Sequence, residues 1–321
     1  LQHVYRLLFI PNILTYFLTG TVNCDSTLAS MTAMYSIPER NWIKQLIKDL
    51  ELPDLLPDIA VHSENVGRVT DPVLHQAGAG NIPVVMVAQH DTASALTTIS
   101  AYDEGDTAYV SCGTWAIIGA PVSKPLINRQ VFESGFCNEL GYKEQNFLVK
   151  NTAGLWVLQE CMREWEYEGY EIDYDYFDDF TEKNPANSLI DLDDELFMQP
   201  GKMNSKVINY CKNTGQIPPS TREEIYSCIT YSLADKFCKI LEQLETLTCK
   251  KYKKVHIVGG GSKNKPLCKL IKEKTEKNVI AGPQEATVIG NIVVQLLHFR
   301  EIGLLSEVRE IISNSFSVES Y

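Results

Sequence analysis

Val84-Val-Met-Val-Ala-Gln-His-Asp-Thr-Ala-Ser-Ala95 begins as an uncharged apolar run and stops abruptly at His90 and Asp91, after which only small residues follow. That pattern is expected of a buried strand that delivers a carboxylate to a crevice, with the small residues starting a helix packed closely under it. A second run, Tyr109-Val-Ser-Cys-Gly-Thr-Trp115, ends a β-rich stretch in Gly113 and Thr114. A backbone free of side-chain bulk can come close to a phosphate there. The first segment reads as a base and the second as a phosphate grip. Taken singly, each residue has a plainer role: Asp91 as a helix cap, His90 as a satisfied core group, and Gly113-Thr114 as a hairpin turn.

The composition sets the frame for these two segments. The chain has 321 residues, 44% hydrophobic and 22% charged, enough for two domains with a sizeable core. Its formal net charge of -12 argues against a nucleic-acid or anionic-membrane partner. The nearest approach to a basic patch, Lys250, Lys251, Lys253 and Lys254, reads as a solvated approach to a strand. Nine cysteines without a C-x-x-C pair suggest neither a zinc ribbon nor a disulfide framework, so a reducing cytoplasm fits best. Cys211 and Cys228 could meet but are expected as buried free thiols. The apolar stretch Val4 to Leu18 is broken by Arg6, Pro11 and Asn12, which predicts a core helix rather than a membrane span.

Along the chain, Pro11 and Gly20 bracket a helix. Thr21 to Ser36 reads as a loop or extended stretch, and Pro38 as the opening of a second helix with Ile43, Leu46, Ile47 and Leu50 on one face. His62 to Pro83 reads as a surface connection. A polar turn at Asp103-Glu104-Gly105-Asp106 places a domain boundary, giving units 1–104 and 105–321. Thr107–Ser111 and Trp115–Gly119 form a predicted hairpin. Asn151 to Trp165 reads as a helix on which Asn151 and Gln159 could share a face, each with the plainer role of decorating the helix.

Glu166 to Asp194 reads as a solvated, partly helical excursion. Ser220-Thr221 with Glu223-Glu224 offers a capping box for a long helix through Leu247. Val255–Val258, the turn Gly259-Gly-Gly-Ser262 and a following helix would suit a nucleotide-sized ligand at the helix start. The G-x-G-x-x-G fingerprint fails at Asn264, and no P-loop sequence exists. Ala286 and Gly290 would let another backbone approach their helix. Alternating elements favour an α/β class.

Gln89-His-Asp-Thr-Ala-Ser-Ala95, Ser111-Cys-Gly-Thr-Trp115, Lys150-Asn-Thr-Ala-Gly-Leu-Trp156 with Gln159, Val258-Gly-Gly-Gly-Ser262 and Ala281-Gly-Pro-Gln-Glu-Ala-Thr287 together resemble the FGGY family of carbohydrate kinases. Order and spacing match along nearly the whole chain, and within the family the likeness is to kinases of L-rhamnulose. The resemblance implies an actin-like, ribonuclease-H-like α/β fold of two domains, with sugar and ATP in the cleft between them. It implies transfer of the ATP γ-phosphoryl group to the 1-hydroxyl of L-rhamnulose, with Mg²⁺. By motif position Asp91 is the general base, and His90, Asp91, Thr92 and Asn151 contact the sugar. Gly113, Thr114, Gln159 and Gly260 or Gly261 hold the nucleotide, and no protein metal ligand is assigned. L-fuculose, L-xylulose or another polyol is the rival substrate, and a non-catalytic kinase-derived binding module is the rival class.

The family's first phosphate loop, an Asp-x-Gly segment, has no counterpart ahead of these motifs. On that basis residues 1–104 are expected to be the last part of the sugar-binding domain. The lone chain is then expected to bind nucleotide weakly and to phosphorylate nothing, and a separate N-terminal kinase fragment is a candidate partner.

Overall fold

In a computed structural model describing residues 4–70, 72–79, 81–100 and 105–321, α1 (Ile10–Thr19) starts at Pro11 and ends at Gly20, whose φ of 73° suits glycine. The polar stretch read as a loop or extended is extended at β1 (Asn23–Asp25) and then, unlike the expectation, forms α2 (Ser26–Ser30). The cause is a cap: the buried Asp25 carboxylate accepts the Thr27 and Leu28 N–H groups, which propensity alone does not reveal. Pro38 does not open a helix. It lies in the turn joining β2 (Tyr35–Ser36) to β3 (Asn41–Trp42), and α3 (Lys44–Asp49) is a short surface helix with no buried residue.

The His62–Pro83 stretch is more than a connection. β4 (Asp58–Ala60) pairs parallel with β1, whereas β5 (Asn65–Arg68) precedes α4 (Pro72–Gln76) and pairs antiparallel with β6 (Pro83–Val85). The small-residue run then forms α5 (Asp91–Ser100), as its composition predicts. The predicted boundary residues Asp103 and Glu104 lie outside the described residues.

The main sheet starts with β7 (Thr107–Cys112) and β8 (Trp115–Val122), the predicted hairpin. After α6 (Arg129–Glu133) come β9 (Cys137–Leu140) and β10 (Asn146–Ala153), both antiparallel additions. Helices α7 (Trp156–Tyr167), α8 (Tyr174–Lys183), α9 (Met203–Asn213) and α10 (Arg222–Thr248) follow. The chain closes with β11 (Lys254–Val258), α11 (Lys265–Thr275), β12 (Asn278–Ala281), α12 (Ala286–His298), α13 (Leu305–Ser315) and β13 (Glu319–Ser320). The seven strands lie in the order β13-β12-β11-β7-β8-β10-β9, with β11 parallel to both β7 and β12.

Strand alternation gives this sheet two buried faces. Ala108, Val110, Ile118, Leu148, Val255 and Ile257 face a large apolar cluster with α7, α10 and α11. Tyr109, Phe147, Val149 and Val258 face α5 and the start of α12. The product is a helix–sheet–helix sandwich. The 27-residue α10 spans about 40 Å. It is started by Thr221, which accepts the Glu224 N–H, while the Glu224 carboxylate takes the Ser220 N–H at 2.6 Å. Cys211 and Cys228 are buried and free, as expected. Among the described residues no helix is long and apolar enough to cross a membrane.

Candidate active site

The turn before α5 is fixed from beneath by buried polar groups. Asp25 accepts the Gln89 N–H at 3.3 Å, and the Thr27 hydroxyl accepts the His90 N–H at 3.1 Å. His62 supports Asp25 in turn. Its Nδ1 accepts the Lys143 N–H at 3.1 Å, so Nε2 carries the proton it donates to Asp25 at 3.1 Å. This clamp ties the N-terminal region to the main sheet and leaves the Asp91 side chain outside it, 78% exposed at the start of α5. One oxygen of Asp91, Oδ1, accepts the Thr92 N–H at 2.6 Å and faces His90 Nε2 at 3.4 Å. The helix-cap role foreseen for Asp91 is therefore present, on one oxygen only. Thr92 itself is buried.

The α5 start is locked to α12 by close backbone contact. A Cβ added at Gly290 would meet the Ser94 carbonyl oxygen at 1.8 Å, so only glycine allows this approach. Ser94 Oγ donates to the Thr287 carbonyl at 3.0 Å, and Thr287 Oγ1 donates to the Asp91 carbonyl at 3.2 Å. The expectation that Ala286 and Gly290 admit a neighbouring backbone is met by α5.

Immediately before α12, Gly282, Gln284 and Glu285 form one wall of a cleft of about 800 Å³, a volume within the range of small-molecule sites. The cleft is lined also by Leu155, Gln159 and Gly260, and by Asp178, Tyr226 and Asn264. The last three are tied together: Tyr226 stacks on Phe177 at 5.0 Å and donates to Asp178 at 2.7 Å, while Asn264 Nδ2 donates to the Tyr226 oxygen at 3.2 Å. Burial pushes the Asp178 carboxyl above its ordinary range, against the lowering effect of the Tyr226 hydrogen bond.

The hairpin turn is joined to that cleft. Thr114 Oγ1 donates to Gln159 Oε1 at 3.0 Å. The carbonyls of Gly113 and Thr114 accept N–H groups from Gly154, Leu155 and Trp156 at the start of α7. The glycines divide by function. Gly261 is packed against Cys112, which a Cβ would meet at 2.6 Å, whereas Gly260 lines the cleft with its nearest neighbour, Leu155, at 3.4 Å. Gly113 has only the Trp115 carbonyl near a would-be Cβ, at 3.8 Å, so packing within the protein does not demand a glycine there.

Asn151 is placed differently from expectation. It lies in β10, not at a helix start, and therefore shares no helical face with Gln159. The long apolar pattern after Gly154 does form a helix, but β-pairing of Asn146–Ala153 with β8 takes the residues before it. Exposed Asn151 pairs with Ile117, which pairs with Ser111 two residues before Gly113, on the sheet face that α5 covers. The structure thus unites Thr114, Gln159 and Gly260 at the cleft and His90, Asp91 and Thr92 at the α5 start. Thr287, two residues beyond Glu285, joins the two groups.

Asp25, His62 and Glu139 escaped the sequence reading. Asp25-Ser-Thr27 carries a capping pattern that could have revealed the first; no spacing signal marks the other two. Glu139 is 4% exposed in β9, and burial raises its carboxyl above the ordinary value while His90 acts to lower it.

The model for the C-terminal domain of the FGGY family of carbohydrate kinases matches residues 108–299, and that for the N-terminal domain matches residues 1–98. A rhamnulokinase of Bacteroides thetaiotaomicron is 33% identical over the full chain, which covers 66% of that protein, and one of Bacillus subtilis is 30% identical with the same coverage. The chain therefore spans just under two thirds of the length of these curated relatives. Gluconate kinase from Lactobacillus acidophilus superimposes with a TM-score of 0.73 at 16% identity, over 99% of this chain and 63% of its own. Plasmodium falciparum glycerol kinase with ADP gives 0.72 at 18%, over 97% and 62%. The fold is the actin-like, ribonuclease-H-like α/β fold shared with these sugar kinases, and the chain belongs to the FGGY family of carbohydrate kinases.

Proposed function

We propose that this chain carries the base and the nucleotide cleft of an ATP-dependent kinase that phosphorylates L-rhamnulose at its 1-hydroxyl. The observation that carries the reading is the α12 start, whose preceding residues line the cleft while Thr287 holds the backbone of Asp91. In this reading Asp91 accepts the proton of the sugar hydroxyl as the oxygen attacks the γ-phosphorus and the bond to ADP breaks. His90, Thr92 and Asn151 contact the sugar. Gly113 and Thr114 approach the phosphates, Gln159 and Gly260 bound the nucleotide, and Gly261 supports the turn from behind. The proposed division places the sugar side in 1–104 and the nucleotide side in 105–321, and a cytoplasmic setting goes with it.

Among the described residues no group of three or more His, Cys, Asp or Glu is placed to hold a metal. In the proposed reaction Mg²⁺ would enter with the nucleotide phosphates and neutralise their charge. The preference for L-rhamnulose rests on the 30–33% identity to rhamnulokinases over the chain.

The lone chain should release no ADP, so the test of turnover uses the parent kinase or this chain complemented with an N-terminal kinase fragment: ADP release across a panel of ketoses, with binding of ATP and sugar measured separately on the same protein. L-rhamnulose should exceed L-fuculose and L-xylulose in kcat/KM by at least roughly tenfold, the scale of one well-placed contact. Asp91→Asn should lower kcat by about 10²–10⁴ with sugar affinity within about tenfold. Equal turnover of all ketoses would overturn the substrate assignment, and sugar binding without transfer in the parent or complemented protein would identify a binding module.

A further inference from the structure

The His90 ring stands between two carboxylates, of which only one has been given a role. Its Nε2 is 3.4 Å from Asp91 Oδ1, and its Nδ1 is 3.9 Å from Glu139 Oε2. The ring is held in place, because the His90 N–H is bound by Thr27 and its side chain is only 13% exposed. Nδ1 is buried and makes no hydrogen bond among the described residues. The Glu139 side chain, 5% exposed, receives only a long contact from Cys137 Sγ, 3.7 Å from Oε1. Tyr109, from β7, also contributes a buried hydroxyl with no hydrogen-bond partner among the described residues, and its ionisation is pushed well above the ordinary value first by burial and then by Glu139. The ionisable groups facing Glu139 are thus His90, Asp91, Cys137 and Tyr109.

We propose that Glu139 is a positioning residue for the kinase reaction, sharing one proton with His90 so that Nε2–H always points at Asp91. The proposal rests on the assignment of Asp91 as base. Whether the shared proton sits on Oε2 or on Nδ1, it lies between Glu139 and His90, and the second ring proton stays on Nε2. Without Glu139 the neutral ring is free to protonate Nδ1 instead. The Nε2 lone pair would then face the Asp91 carboxylate and repel it.

The consequence is a division of labour between the two oxygens of Asp91. Oδ1 accepts the Thr92 N–H at 2.6 Å and the Thr92 hydroxyl at 3.4 Å, with His90 Nε2 3.4 Å away, and on this proposal Oδ2 is left as the acceptor for the sugar proton. The 3.9 Å gap at Glu139 exceeds hydrogen-bond length, and contacts of this kind tighten when a substrate closes the site. Glu139 is then part of why His90 precedes the base: the imidazole transmits a buried carboxylate's control of a proton to an exposed one.

The test reads the His90 tautomer by long-range ¹H–¹⁵N spectra of the full chain labelled at histidine, with His90→Gln identifying the resonance. Wild type should show Nε2 protonated near neutral pH. Glu139→Leu should give mixed tautomers, and Glu139→Gln, whose amide N–H can donate to Nδ1, should restore the Nε2–H form. In the ADP-release assay on the parent or complemented kinase, Glu139→Leu should lower kcat roughly 10–100-fold, the cost of a misplaced reacting group, with KM for ATP within about twofold. Glu139→Gln should recover most of that loss.

A wild-type ring protonated only at Nδ1 overturns the proposal without any variant, and so does an unchanged Nε2–H form in folded Glu139→Leu. Full activity of Asp91→Asn would sink the base assignment instead, a result the tautomer spectra do not mimic.

Discussion

The two buried faces of the seven-stranded sheet are built by different means. Against α7, α10 and α11 a large apolar cluster fills the interface, with Phe237, Leu233, Ile229 and Trp165 among its buried side chains, and among the polar groups there Asp178 and Ser232 are hydrogen-bonded. Against α5 the sheet also buries polar groups: the Tyr109 hydroxyl, the Glu139 carboxyl and the His256 imidazole. An apolar face holds by area and fit, and its cost of disruption does not depend on pH. A polar face holds only while each proton is where its partners need it. Asp91 lies on the second face, where the fold keeps ionisable groups close to one exposed carboxylate, while the cleft draws Gln159 and Tyr226 from α7 and α10 on the first.

The difference can be broken from either side. The largest effect is expected from Phe237→Ala on α10, which leaves a cavity in the apolar cluster and should cost about 4 kcal/mol. Denaturant melts at several pH values should show the same loss at each. Next comes acid. Burial holds His256 down to about 4, and its Nε2–H donates to the Gly282 carbonyl at 2.6 Å. An unfolded histidine takes up its proton near 6.5. Between these values the unfolded chain binds the extra proton, so this contribution is complete above pH 6.5 and is lost as pH falls towards 4. The loss amounts to about 3 kcal/mol. His256→Gln, which can still donate to Gly282, should flatten that part of the stability curve, and an unchanged acid slope would refute the assignment.

The two faces were also unequally legible in the sequence. The apolar face follows from periodicity: the stripe Ile225, Ile229, Phe237 and Ile240 and the cap at Thr221 predict α10, and the structure has it at Arg222–Thr248. Asp91 and the hairpin turn were legible because a small-residue helix start and a glycine turn are local signals. Glu139 and His62 were not, since each acquires its meaning from residues about 50 and 37 positions away. Asn151 was misplaced for a related reason, as a cross-strand partner decided between strand and helix. Local chemistry is written in neighbouring letters, whereas a buried proton partner is set by topology.

A smaller effect should come from Gly290→Ala, where the new methyl group would overlap the Ser94 carbonyl and push α5 from α12. A loss of roughly 2 kcal/mol is expected. Faster hydrogen exchange at the start of α5, with α10 unchanged, would show that the damage stays on the polar face. Equal loosening of α10 would show that the two faces are one cooperative unit.

The smallest effect on stability is expected where the ligand, not the protein, needs the space. At Gly261 an added Cβ runs into Cys112 at 2.6 Å, so Gly261→Ala should destabilise by about 1–3 kcal/mol as an overpacked site. Gly113 has no contact shorter than 3.8 Å and no left-handed backbone, so Gly113→Ala should leave the melting temperature almost unchanged. If Gly113 is the close approach to phosphate, the same methyl group should weaken ATP binding by about tenfold, or about 1.4 kcal/mol, and adenosine binding hardly at all. Titration calorimetry with both ligands separates the cases. Equal weakening for adenosine would mean that the turn shapes the whole cleft, and no weakening for ATP would return Gly113 to the plain role of a hairpin turn.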